Sequence, residues 1–183
     1  VEGGPYFSNF AGLVYHDGSK SIYFSDVNQR AIFKYDMTTM QSSIFYEKNA
    51  VMDGLLIVED RIYWTDYLQG SIGSIALSGD ADSYREEMFG LQKPRALQYH
   101  NSKLYWTEWG ESPRVARATP GTAEDPETLV SSGIEWPNAL SLDSTNNKMF
   151  IGDGKTKKIT SCNLDGQNCR MLNNIEPTPE HIY

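Results

Sequence analysis

The chain has 183 residues, 12% of them aromatic, which is enough length and enough large side chains for a domain with a real core. Its 24 acidic residues outnumber 16 basic ones, a formal net charge of −8 that argues against nucleic acid and against anionic membrane surfaces, since both reward clustered Lys and Arg. No apolar run approaches the ~20 residues of a membrane-spanning helix, and Val1-Glu2-Gly3-Gly4 is not a signal peptide, so the sequence reads as a mature or excised segment.

In chain order, short alternating or aromatic-rich runs are separated by turn chemistry, and no window has a sustained helical period. The first repeat predicts strands over 12–15, 21–26, 31–35 and 42–46, with a turn at 16–20. The second predicts 53–58, 61–66, 73–77 and 84–88. The third predicts 95–99, 103–108, 114–118 and 127–130, with a Pro/Gly-rich loop at 119–126, and the fourth 138–142, 148–152, 158–162 and 169–172.

The second strand of each repeat carries a related phrase: Tyr23-Phe24-Ser25-Asp26, Tyr63-Trp64-Thr65-Asp66, Tyr105-Trp106-Thr107-Glu108 and Phe150-Ile151-Gly152-Asp153, at spacings of 40, 42 and 45 residues. A period in the forties carried by short aromatic strands marks propeller blades. The expected fold is all-β, a single β-propeller segment over 1–183 with four consecutive four-stranded blades at about 10–48, 49–91, 92–133 and 134–175. Residues 176–183 would start a further blade, and the array would be part of a six-bladed ring. Blades stack on their neighbours, so an open arc leaves apolar faces uncovered, and the missing blades are expected from the same or another chain.

Alternation along an inner strand sends successive side chains to the two neighbouring blades, so Tyr63, Trp64, Tyr105 and Trp106 read as packing residues. The acidic ends Asp26, Asp66, Glu108 and Asp153 are expected to accept hydrogen bonds from turn amides. Two cysteines, Cys162 and Cys169, flank an Asp165-Gly166 hairpin turn. The expectation is a disulfide, against two reduced, half-buried thiols, and with it an oxidising extracellular compartment.

These residues resemble the YWTD, or LDL-receptor class B, propeller repeats of the LDL-receptor family, also found in nidogen and the epidermal growth factor precursor. The resemblance rests on the four motif copies, on Trp106-Thr107-Glu108-Trp109-Gly110-Glu111 with Val115 and Arg117, on Trp136-Pro137-Asn138-Ala139-Leu140-Ser141-Leu142-Asp143, and on Leu164-Asp165-Gly166. The order of variants is similar to blades two to five of the Wnt co-receptor branch. It departs from the pattern at Glu108, at the fourth motif copy, and in having no Asn-x-Ser/Thr sequon.

The resemblance implies a non-catalytic, extracellular or cell-surface ectodomain that binds a protein ligand, with endosomal passage after uptake, and no cofactor. In family members of the co-receptor and nidogen kinds, one end of the ring binds partner loops carrying an asparagine. The matching positions here are Asp53, Arg95, Trp109, Trp136 and Asn138, of which Asn138 and Arg95 are the leading candidates. Loops entering successive first strands converge on one end of a propeller channel, so residues far apart in sequence can form one patch. The same positions could instead cap turns and fill the core.

Other chemistry is poorly encoded. Gly152-Asp153-Gly154-Lys155-Thr156 resembles the tail of a phosphate loop, but Met149 stands where a glycine is needed and no helix is expected to follow. There is no Gly-x-Ser-x-Gly elbow and no His-Glu-x-x-His, so no catalytic residues and no metal site are assigned. The rival reading is a metal-dependent, lactonase-like six-bladed enzyme, with Asn138, Asp53 and Glu108 as ligands and Arg95 as an objection. His16 and His100 occupy equivalent places at first-strand ends, as turn residues or as a pH switch.

Overall fold

A computed structural model describes residues 9–172. The strands form four antiparallel sheets, each ordered as a meander. Sheet one comprises β1 (Phe10–His16), β2 (Ser21–Asp26), β3 (Ala31–Asp36) and β4 (Gln41–Glu47). Sheet two comprises β5 (Met52–Val58), β6 (Arg61–Asp66), β7 (Ser71–Ala76) and β8 (Arg85–Met88), with a 3-10 turn at Ala81–Ser83 before its last strand. Sheet three comprises β9 (Pro94–His100), β10 (Lys103–Glu108), β11 (Arg114–Ala118) and β12 (Glu127–Val130). Sheet four comprises β13 (Pro137–Asp143), β14 (Lys148–Asp153), β15 (Lys158–Asn163) and β16 (Arg170–Met171). The further blade expected at 176–183 lies outside the described residues.

The sheets stack face to face, and the Tyr-Trp pair explains how. Tyr23 joins Met52, Ile62 and Trp64 in the core between sheets one and two. Tyr63 joins Leu97, Leu104 and Trp106 between sheets two and three, and Tyr105 joins Leu140, Met149 and Ile151 between sheets three and four. The tyrosine thus packs toward the following blade and the tryptophan back toward the preceding one, as strand alternation requires. With both faces covered, β6 and β10 are buried along nearly their whole length and lose any apolar-polar alternation. The outer strands β4 and β16 are largely exposed.

First strands of successive sheets lie side by side in the series β1, β5, β9, β13. They approach closely enough to demand glycine: a Cβ on Gly12 would sit 2.3 Å from the Asp53 carbonyl oxygen, and one on Gly54 2.5 Å from that of Arg95. Among the described residues the series stays open, with no comparable packing of β13 against β1. On the free face of sheet one, Phe24 and Phe33 stack at 5.5 Å, while Phe10 is 59% and Leu13 70% exposed. At the other end, Cys162 and Cys169 are bonded across the Asp165-Gly166 turn, tying β15 to the segment leading into β16.

Candidate functional site

Each first strand carries a bulge at the same place. Ala11 and Gly12 together oppose Ser25, Asp53 and Gly54 oppose Thr65, and Arg95 and Ala96 oppose Thr107. The register of β13 slips likewise between Pro137 and Ala139, at Asn138. A bulge removes one residue from the ladder and re-aims it. The motif hydroxyl repairs the damage, accepting the orphaned amide of Gly12 on Ser25 Oγ (2.8 Å), of Gly54 on Thr65 Oγ1 (2.8 Å) and of Ala96 on Thr107 Oγ1 (3.1 Å). Thr65 also donates to the Arg95 carbonyl of the next blade at 2.6 Å. Gly152 has no side chain for this job, which is what the altered fourth motif lacks.

The acidic ends hold the turns beside the bulges, as expected from the sequence. Asp66 Oδ1 accepts the amides of Val51, Leu68 and Gln69, and Asp153 accepts those of Glu135 and Trp136 on Oδ2 and of Lys155 and Thr156 on Oδ1. Glu108 reaches further. One oxygen accepts from Gln92 N, the other from Trp106 Nε1 and Arg114 Nε, each at 2.8 Å.

The re-aimed residues meet. Ala11, Asp53, Arg95 and Asn138, one from each blade, line a cleft of about 590 Å³ together with Phe10, Val27, Val51 and Tyr67. Sequence reasoning put Asp53, Arg95 and Asn138 at the first position of each predicted first strand, in the segments entering it; β5, β9 and β13 begin one residue earlier, at Met52, Pro94 and Pro137, and the bulge leaves the following residue free to face the channel.

Arg95 is held on three sides. Its Nε lies 2.6 Å from Asp53 Oδ2, its guanidinium carbon 4.2 Å from the Trp109 ring centroid and 5.3 Å from that of Tyr67. The Asp53 contact is an ion pair by distance, but the N–H is not aligned on Oδ2, which has no hydrogen-bond partner among the described residues; we therefore treat it as Coulombic contact and not as a directed bond. Burial pushes the Asp53 carboxyl above the usual carboxylate range, and Arg95 opposes that shift.

Trp109 stacks on Trp136 with centroids 5.6 Å apart and planes at 21°, and meets Tyr67 edge-on at 6.3 Å. Trp136 is 47% exposed, and Lys155 lies over its ring at 5.6 Å. All five sequence candidates therefore fall in one neighbourhood. Tyr67 was missed, although a signal existed: it follows Asp66 as Trp109 follows Glu108. The same backbone bond fixes both positions, Tyr67 N donating to Val51 O at 3.0 Å and Trp109 N to Lys93 O at 3.3 Å.

The metal-site cast of the rival reading is not brought together. Glu108 is buried against Trp106 and Arg114 and does not line the cleft of Asp53 and Asn138, and no group of three metal-ligating side chains occurs among the described residues. His16 and His100 lie at the far ends of β1 and β9, away from the cleft, and His16 Nδ1 accepts the Ser19 amide of its own turn at 3.1 Å.

Stacked four-stranded meanders around a shared line of first strands define a β-propeller. No protein-family model matches the chain. Over 184 residues it is 34% identical to vitellogenin receptor Yl of Drosophila melanogaster, covering 96% of this chain and 9% of that protein. Over 95 residues it is 38% identical to low-density lipoprotein receptor-related protein 5-like protein of Homo sapiens, covering 51% of this chain and 36% of that protein. The chain thus spans little more than a third, or less, of the curated relatives it matches. Among solved structures, a chain of the nidogen/laminin complex superposes with a TM-score of 0.79 at 18% identity, over 91% of this chain and 65% of that one. A gluconolactonase from Xanthomonas campestris superposes with a TM-score of 0.76 at 13% identity, over 91% of this chain and 63% of that one. Identities this low speak to the fold alone. The relatives and the motifs together support reading these repeats as LDL-receptor class B propeller repeats.

Proposed function

We propose that this chain belongs to the extracellular or cell-surface ectodomain of a receptor or matrix glycoprotein and binds a protein ligand, without catalysis, at the bulge end of the array. The observation that carries the reading is the exposed Trp136, stacked on Trp109 beside an immobilised Arg95 and the cleft-lining Asn138. Rigid aromatic area next to a fixed donor is the mixture that interface hot spots favour. Such a surface suits an extended partner loop, including one with an asparagine facing Asn138. The receptor relatives support this reading over the lactonase one, as does the engagement of Glu108 away from the cleft.

Trp136→Ala and Asn138→Ala, made in the complete polypeptide, should each weaken binding of the physiological protein partner by ~1–3 kcal/mol with the melting temperature unchanged. Normal binding by both variants, with loss of binding on substitution at the far turns, would mean the wrong end has been chosen. The reading also makes the four blades part of a six-bladed ring, in the order of blades two to five, with two more from the same or another chain. The coverage of 65% and 63% of two propeller chains, near four sixths, supports it, as does the bare face of sheet one. Small-angle scattering of residues 1–183 alone should report an open or self-associating particle; a compact monomer would count for a closed four-bladed ring.

A further inference from the structure

Charge is distributed very unevenly between the two ends of the array. Among the described residues, the loops at the cleft end (27–30, 48–51, 67–70, 89–93, 109–113, 131–136 and 154–157) carry Arg30, Lys48, Lys93, Lys155 and Lys157 against only Glu111 and Glu135. The loops at the far end carry eight carboxylates, Asp60, Asp82 and Glu124 among them, against Lys20 alone. The acidic motif ends near the cleft are buried, and hydrogen bonds from the protein's own turns engage them. An otherwise acidic molecule therefore presents a basic rim where the candidate site lies, and a field of that form steers acidic partners to one end.

The cleft holds an acceptor with no hydrogen bond among the described residues, Asp53 Oδ2, and donors that the protein itself leaves unspent. Arg95 has Nε against Asp53 and its guanidinium carbon over the rings of Trp109 and Tyr67, while its two terminal nitrogens donate no hydrogen bond among the described residues. The indole N–H of Trp109 is buried and also has no acceptor among them. A planar fork held over an aromatic ring, with its terminal nitrogens unspent, matches the two oxygens of a carboxylate. Lys93, exposed and 5.8 Å from the Tyr67 ring centroid, adds a second cation at the cleft's edge.

Resting on the protein-binding reading above, we propose that this cleft is a carboxylate receptor, seating an aspartate or glutamate side chain of the partner's docking loop on the free edge of Arg95. Asp53 then has a defined role: its carboxylate lies against Nε as a Coulombic contact and competes electrostatically with the incoming anion. Removing its charge strengthens the site, whereas removing the fork destroys it.

The test uses the complete polypeptide containing these repeats and three disulfide-cyclised peptides, Cys-Gly-Asn-Xaa-Gly-Ser-Cys with Xaa as Asp, Asn or Lys, titrated by fluorescence anisotropy at low and high salt. The Asp peptide should bind about tenfold more tightly than the Asn peptide, with the Lys peptide weakest and the difference shrinking in salt. Arg95→Gln should bring the Asp and Asn peptides to within about twofold of each other, Arg95→Lys should leave an intermediate preference, and Asp53→Asn should enlarge it. Equal binding of the Asp and Asn peptides, each lost in Asn138→Ala, would overturn the carboxylate proposal and leave the protein-binding reading standing. Failure of all three peptides would overturn the proposal and count against both. Binding of a heparin oligosaccharide that ignores Arg95→Gln, with no peptide preference, would assign the basic rim to a sulfated polysaccharide and overturn it too.

Discussion

At the scale of single residues, each letter of the repeated motif has a separate physical task. The tyrosine and tryptophan fill opposite interfaces, the hydroxyl accepts an amide that a bulge has orphaned, and the acid gathers the turn amides. Glu108 shows how far one position can drift. Its longer side chain accepts from Trp106 and Arg114 as well as from Gln92, contacts that a carboxylate one methylene shorter would have to give up in part. Glu108→Asp, although it restores the commoner motif letter, should therefore destabilise the protein by ~1–3 kcal/mol in a denaturant titration, because buried donors lose their acceptor. An unchanged or raised midpoint would show that the blade relaxes around the shorter acid.

Among the elements, the bulged first strands connect packing to recognition. A straight strand would turn Asp53, Arg95 and Asn138 into ordinary ladder residues; the bulge frees them to line the cleft while Thr65 and Thr107 keep the neighbouring amides satisfied. The outermost hairpin of sheet four depends on a different device. Its last strand spans only Arg170–Met171, and the bond between Cys162 and Cys169 ties the segment leading into it back to β15. Reduction should cost ~2 kcal/mol on the chain-entropy account, given the short loop it closes. Free-thiol titration of the unfolded, unreduced protein should find none, and a reducing agent that leaves the melting temperature where it was would remove the disulfide from the list of stabilising features.

Across the whole molecule, the carboxylates fall into two groups with opposite pH behaviour. Glu127 is held low by its bond to Arg117, Asp17 by Lys20, Asp36 by the amides of Thr39 and Thr38, and Asp143 by Asn146. Such groups stabilise the fold above the usual carboxylate pKa of about 4, and that contribution is lost as pH falls through their lower folded values. Asp53 has the reverse sign. Its carboxyl is raised by burial, so its ionisation opposes folding, with no penalty at acid pH and a growing one as pH rises through the raised value. Global stability should therefore fall below about pH 4. The stability of the wild type minus that of Asp53→Asn should decrease from pH 3 toward pH 7. A flat or rising difference in paired denaturant titrations would contradict the assigned direction.

The repeat was legible in sequence because stacked blades impose the same demands every forty-odd residues, and motifs such as Tyr63-Trp64-Thr65-Asp66 record those demands locally. Short alternating and aromatic-rich runs without a helical period likewise carried the all-β class, and the Asp165-Gly166 turn pointed to the cysteine pair. The sequence also nominated Asp53, Arg95, Trp109, Trp136 and Asn138, through the resemblance of their surroundings. What it could not supply was the bulge, since a slip in register depends on the partner strand and leaves no mark in either strand alone. Nor could it supply the pairing of Arg95 with Asp53, its stacking on Trp109 and Tyr67, or the separation of charge between the two ends. Those depend on which blades lie side by side and which strand ends share a face, relations among residues some forty positions apart that only the tertiary structure decides.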